Sequence, residues 1–258
     1  MILAHDDSGT GPAVLLIHAG VADRRMWDPV AGALAHVFRV VRPDLRGHGD
    51  SPLPGGEYAD ADDLAALLDH LDVADAVVVG SSFGGRVALE LATAHPARVR
   101  ELVLLNPDHE GIETTAAAET FDDTEDRLLA AGDVEGAVRL NVETWLGPEA
   151  TESVRAALAV MQRRAFEVQL AADASDDPPR PRSLSVDLDA VAVPTVVVSG
   201  AHDMDRFRHA AAHVAAGIRG AELVELDWAG HLPALERPDA VQALLLDVLR
   251  DDPTVHAP

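Results

Sequence analysis

Three residues able to carry out nucleophilic chemistry together stand in three separate turns of this chain. Ser82 is the centre of Gly80-Ser81-Ser82-Phe83-Gly84, a G-x-S-x-G pattern; Asp203 closes Ser199-Gly200-Ala201-His202-Asp203; His231 lies in Trp228-Ala229-Gly230-His231-Leu232-Pro233. A serine hydroxyl attacks a carbonyl near neutral pH only when a base within hydrogen-bond reach takes its proton and a third group orients that base. The glycine frame suits the nucleophile, because a strained strand-to-helix turn exposes the hydroxyl and only small neighbours let helix and strand approach so closely. Ser81 competes with Ser82, but faces alternate along a strand and only the centre of the frame projects at the tip.

The orienting acid has rivals. Asp203 directly follows a strand, Asp205 lies two positions on, and Asp108 follows the strand at 99–105 and is also within reach of a histidine after the last strand. Asp203 is preferred, and His202 and Asp205 read as loop-shaping residues. Acyl transfer also needs N–H donors aimed at the oxyanion. Phe83, next after the nucleophile, supplies one backbone amide; His18-Ala19-Gly20-Val21 supplies the other, with Gly20 favoured and Val21 next. Val21, Trp27, Phe121, Trp145, Met161, Phe166 and Leu232 are candidates for the substrate pocket, although apolar residues at helical spacing equally serve packing. Arg163-Arg164 reads as a solvated pair or as a partner for a substrate carboxylate.

These turns require particular elements around them. Val77-Val78-Val79 is an apolar β-branched run, and Val87, Ala88, Leu91 and Ala92 follow at a helical period, so a buried strand passes directly into a helix at Ser82. Strands are expected at 2–5, 13–17, 38–41, 99–105, 194–200 and 222–226, and helices at 26–35, 60–71, 206–216 and 233–250. Alternation on this scale predicts an α/β fold: a mostly parallel central sheet with helices on both faces. The alternation stops between 108 and 191, where three helical tracts (125–131, 134–145, 152–172) and no strand are expected, and 176–182 reads as a turn-rich connector. The expected domains are a core formed by 1–107 and 192–258 and a helical insertion at 108–191. The last few residues are expected to fray.

Composition narrows the partners. Among 258 residues, 44 acidic side chains face 20 basic ones, all arginine, for a formal charge of -24, which repels phosphate backbones and anionic membranes. With no lysine there is no G-x-x-x-x-G-K-[ST] loop, and with no cysteine there is no disulfide, thiolate metal site or cysteine nucleophile. No basic, apolar leader opens the sequence and no run approaches the ~18 apolar residues that span a bilayer. The expectation is a soluble cytoplasmic chain, monomer or homodimer, that acts on a small-molecule substrate without metal or organic cofactor.

Several of these stretches together resemble the α/β-hydrolase superfamily, and the resemblance covers almost the whole chain. Leu16-Ile17-His18-Ala19-Gly20 is similar to the family's His-Gly oxyanion segment, with Ala19 where glycine is usual; Asp44-Leu45-Arg46-Gly47-His48-Gly49-Asp50-Ser51 is similar to its D-x-R-G-x-G-x-S turn; and Gly230-His231-Leu232-Pro233 with Leu235-Glu236-Arg237-Pro238 is similar to its ending around the catalytic histidine. Arg25-Met26-Trp27-Asp28-Pro29 and the spacing look most like the small bacterial esterase, enol-lactonase and perhydrolase branch. The resemblance implies a serine hydrolase of esters, lactones or thioesters, with 108–191 as a cap over the pocket. A C–C bond-cleaving or rearranging enzyme, or a ligand-binding receptor with an idle triad, are the other readings.

Overall fold

The computed structural model describes residues 1–250; the expected fraying at 251–258 lies outside the described residues. In chain order the strands are β1 (His5–Ser8), β2 (Ala13–Ile17), β3 (Arg39–Pro43), β4 (Gly56–Tyr58), β5 (Ala76–Ser81), β6 (Val99–Leu105), β7 (Pro179–Pro181), β8 (Thr195–Gly200) and β9 (Glu222–Leu226). The helices are α1 (Asp28–Leu34), α2 (Asp60–His70), α3 (Phe83–Ala94), α4 (Ala116–Ala130), α5 (Val134–Trp145), α6 (Glu152–Asp173), α7 (Asp205–Gly217), α8 (Pro233–Glu236) and α9 (Pro238–Arg250). The main sheet runs β1-β3-β2-β5-β6-β8-β9, and only β1 is antiparallel to its neighbour. This is the α/β-hydrolase fold.

Strand alternation divides the interior into two cores. Val14 and Leu16 of β2, with Val77 and Val79 of β5, face one side with α1 and α9; Ala13, Leu15 and Ile17, with Ala76 and Val78, face the other with α2 and α3. Both faces are covered, so β2 and β5 are apolar throughout, and each fully buried valine or leucine contributes roughly 1.5–3 kcal/mol. Asp44 stitches the turn after β3: its carboxylate accepts from the amides of Arg24 and Asp50, each at 2.8 Å, and pairs with the Arg24 guanidinium.

Four local expectations need correction. The first strand is His5–Ser8 rather than 2–5, because a polar edge strand is held by its ladder and by cross-strand charge: Asp6 pairs with Arg42 at 2.9 Å and Asp7 with Arg39 at 2.6 Å. The helix expected over 233–250 breaks at Arg237, which precedes Pro238 and lies at φ -135°, ψ 77°, since proline clashes with a helical residue before it. Segment 108–191 does contain a strand: β7 pairs in parallel with β4, which went unpredicted, as a two-stranded sheet in which Arg182 N–H donates to the Tyr58 carbonyl at 2.7 Å. Finally α4 begins at Ala116, well before 125, because Thr115 caps it by accepting from Ala118 N–H at 3.3 Å. The other two helical tracts expected in this segment form as α5 and α6.

At the turn from β5 to α3, Ser82 adopts φ 53°, ψ -118°. A side chain at Gly84 would set its Cβ 2.5 Å from the His18 carbonyl oxygen and 2.6 Å from that of Ile17. Gly84→Ala is therefore expected to lower the unfolding free energy by about 2 kcal/mol or more, measured by urea denaturation.

Candidate active site

Ser82, Asp203 and His231 converge at the carboxyl edge of the sheet, where the turns after β5, β8 and β9 emerge. The turn after β5 presents Ser82 Oγ at 2.7 Å from His231 Nε2, and His231 Nδ1 stands 2.7 Å from Asp203 Oδ2. With Nδ1 donating to the carboxylate, the Nε2 lone pair faces the serine hydroxyl, which donates to it. Asp203 is positioned at its second oxygen by the Met204 amide at 2.7 Å. All three residues are buried, Ser82 at 8% exposure.

The rival residues are occupied elsewhere. Asp108 pairs with Arg206 at 2.9 Å and lies 3.9 Å from Arg86. Asp205 is exposed and pairs with Arg208 at 3.2 Å. Ser81 lies on β5, fully buried, its hydroxyl without a partner among the described residues.

Gly20 and Phe83 are neighbours: a Cβ built on Gly20 would lie 3.4 Å from Phe83 Cβ. The Ala19 carbonyl is turned away, accepting from Ala22 N–H at 3.0 Å and from His18 Nδ1 at 2.8 Å. Across that peptide plane the Gly20 N–H points the opposite way. His18 Nε2 accepts from Leu45 N–H at 2.9 Å, so the ring is neutral; burial drives its pKa down to about 3, with His48 adding to the effect. The His48 ring lies 4.8 Å from that of His18, tilted by 56°, with its ring nitrogens 3.0 Å from the carbonyls of Gly20 and Arg46. Burial lowers its pKa too.

An aromatic wall surrounds His231. Trp145 packs 4.8 Å from the imidazole, Phe207 4.2 Å from it, and Phe121 stands edge-on to Trp145 at 4.7 Å. Trp145 is held by its indole N–H, which donates to Asn141 Oδ1 at 2.8 Å. Trp27, Met161, Phe166 and Leu232 belong to the same apolar cluster, and Val21 packs against it. The Trp27 indole nitrogen has no hydrogen-bond partner among the described residues.

Sequence reasoning missed three supports. Asn106, read only as the end of β6, donates from Nδ2 to the carbonyls of Gly230 (3.0 Å) and His231 (2.9 Å) and accepts from Gly200 N–H at 2.7 Å. It lies at φ 46°, a conformation asparagine tolerates better than most residues. The available signal was an Asn-Pro pair at the carboxyl end of a central strand. Glu236 accepts from the amides of Gly230 (2.8 Å) and Leu232 (3.1 Å), and burial raises its pKa. Phe207 gave no signal, because it arrives from α7. Gly147, just past α5, meets Gly230 backbone to backbone: a Cβ on Gly230 would lie 2.5 Å from Gly147 N. Among the described residues no group of three or more His, Asp or Glu side chains is arranged to hold a metal ion, and no helix is long and apolar enough to cross a membrane.

A mostly parallel sheet covered on both faces, with a serine on a strained turn at its carboxyl edge, defines an α/β protein of the hydrolase type. The chain belongs to the alpha/beta hydrolase family, whose model matches residues 14–244. It is 31% identical over 249 residues, 91% of each chain, to a pimeloyl-[acyl-carrier protein] methyl ester esterase of Neisseria meningitidis. Among solved structures it resembles a hydrolase from Pseudomonas aeruginosa (32% identity, TM-score 0.77, covering 96% of this chain and 94% of that one). It also resembles the enol-lactonase from Burkholderia xenovorans (28% identity, TM-score 0.78, 96% of each). Against a Mycobacterium tuberculosis relative, 42% identical over 103 residues, the match spans 38% of this chain and only 30% of that protein's length.

The buried neutral His18 generates a pH prediction. Its folded pKa lies below the 6.5 of a free imidazole, so below about pH 6.5 the unfolded chain binds a proton that the folded one refuses. Stability is expected to fall with acidification by about 1.4 kcal/mol per pH unit per such histidine. Urea titrations between roughly pH 6.5 and 4 should show a shallower slope in His18→Asn.

Proposed function

We propose that this protein is a serine hydrolase that cleaves carboxylic esters, lactones or thioesters through an acyl-enzyme. The observation that carries the reading is the pair of 2.7 Å contacts linking Ser82, His231 and Asp203. As Ser82 Oγ attacks the carbonyl carbon, its proton passes to His231 Nε2, and Asp203 stabilises the imidazolium. The carbonyl oxygen becomes an oxyanion held by the amides of Phe83 and Gly20, each worth roughly 3 kcal/mol in the transition state. Collapse expels the alcohol or thiol, which takes the proton from His231. A water deprotonated by the same imidazole then releases the acid and restores Ser82.

In this reading residues 108–191 form the cap, and α4 and α5 bring Phe121 and Trp145 over the imidazole. That wall favours an apolar acyl or alcohol group beside the reacting carbonyl. The esterase and lactonase names among the relatives point to the same bond class.

Ser82→Ala and His231→Ala are expected to lower kcat on an activated ester such as p-nitrophenyl acetate by at least about a thousandfold, with unfolding curves near wild type. A fluorophosphonate should label Ser82 in the wild type, by peptide mass mapping, and label nothing in Ser82→Ala. Turnover that survives Ser82→Ala would overturn the proposal.

A further inference from the structure

Asp60, the first residue of α2, is 8% exposed, and its carboxyl has no hydrogen-bond or ion-pair partner among the described residues. It lines a cavity of about 310 Å³ bordered by α2, one face of α3, the turn after β3, Gln169 of α6 and the chain after β7. That space holds a small organic molecule or roughly ten waters. Phe83 forms part of the wall, so the cavity lies beside the elbow without including the serine itself.

The charges around it do not balance. Three guanidiniums line the cavity, and each is already engaged. Arg46 grips Asp63 with two bonds at 2.5 and 2.8 Å and lies 4.6 Å from the centre of the Tyr58 ring. Arg86 meets Glu90 at 3.2 Å and Glu110 at 2.7 Å, and Arg182 meets Asp62 at 3.3 Å. Those four carboxylates already outnumber the three arginines, and Asp60 makes a fifth. The whole chain, at a formal charge of -24, adds a field of the same sign. Burial, then Asp63 and Glu90, pushes the Asp60 carboxyl up to about 7, and Arg46 and Arg86 offset this only in part.

We propose that this cavity is a binding site for a small organic monocation, an alkylammonium group that donates to Asp60 while its alkyl part lies along Leu53, Phe83 and Val87. A metal ion needs several ligands, and the described residues gather no group of three His, Asp or Glu side chains suited to one. An ammonium needs one carboxylate and an apolar wall, and the cavity offers both. No step of the serine chemistry uses Asp60, and Phe83, which lines the cavity, enters that chemistry only through its backbone amide.

The test is calorimetric titration with butylammonium chloride, butanol and butyrate at about pH 8.5, above the titration of the Asp60 carboxyl. Butylammonium is expected to bind one to one with a Kd on the order of millimolar, and butanol and butyrate to bind at least tenfold more weakly. Asp60→Asn should weaken butylammonium at least tenfold. Leu53→Trp, which fills the cavity and leaves the carboxylate in place, should do the same. Ser82→Ala should bind as wild type does, separating failure of this proposal from failure of the hydrolase reading. Absence of saturable butylammonium binding, undiminished binding in both cavity variants, or a preference for butyrate would each overturn it.

Discussion

Ser82 holds a backbone conformation that most residues avoid, φ 53° with ψ -118°, and the surrounding structure exists in large part to keep it there. Such a conformation costs about 1–3 kcal/mol and persists only when its neighbours over-determine it. Here they do. Ser82 N–H donates to the Leu105 carbonyl at 2.9 Å, and the Ser82 carbonyl accepts from the amides of Gly85, Arg86 and Asp108 at 2.8, 3.2 and 3.1 Å. The elbow is thereby tied to the strand beside it and to the first turn of its own helix. Gly80 lets the first turn of α3 lie against the strand at Gly84 and Gly85, and Gly84 lets that turn approach the carbonyls of Ile17 and His18.

The same economy governs the loops that bring the other two residues. Asn106, at the end of the strand that anchors Ser82, bonds both to the start of the Asp203 loop and to the backbone of the His231 loop. One side chain thus ties the Asp203 loop to the His231 loop. On the open side, Trp145 and Phe207 pack against the imidazole, limiting its rotation and excluding water from the face they cover.

How far this was legible in the sequence follows from which forces are local. The elbow could be read because its glycines, strand and helix are contiguous, and the order of Ser82, Asp203 and His231 could be read because each follows a strand of one parallel sheet. Asn106 and Phe207 could not, since their partners lie far along the chain and their types carry no signal of distance. The edge strand β1 was shifted because charge pairs hold it, whereas apolar patterning reads burial. The small β4–β7 pairing escaped because a proline-bounded three-residue strand looks like a connector. The break at Arg237 was visible in principle: Pro238 marks it.

The contact between Gly147 and Gly230 also bears on how the histidine loop is held. Backbone there meets backbone with no side chain between, and Glu236 accepts from Gly230 N–H beside it. A Cβ at Gly147 would lie 2.6 Å from the Gly230 nitrogen, and one at Gly230 would lie 2.5 Å from the Gly147 nitrogen. A side chain at either position would therefore push the histidine loop off the end of α5, so two positions with no functional group of their own fix where the imidazole sits.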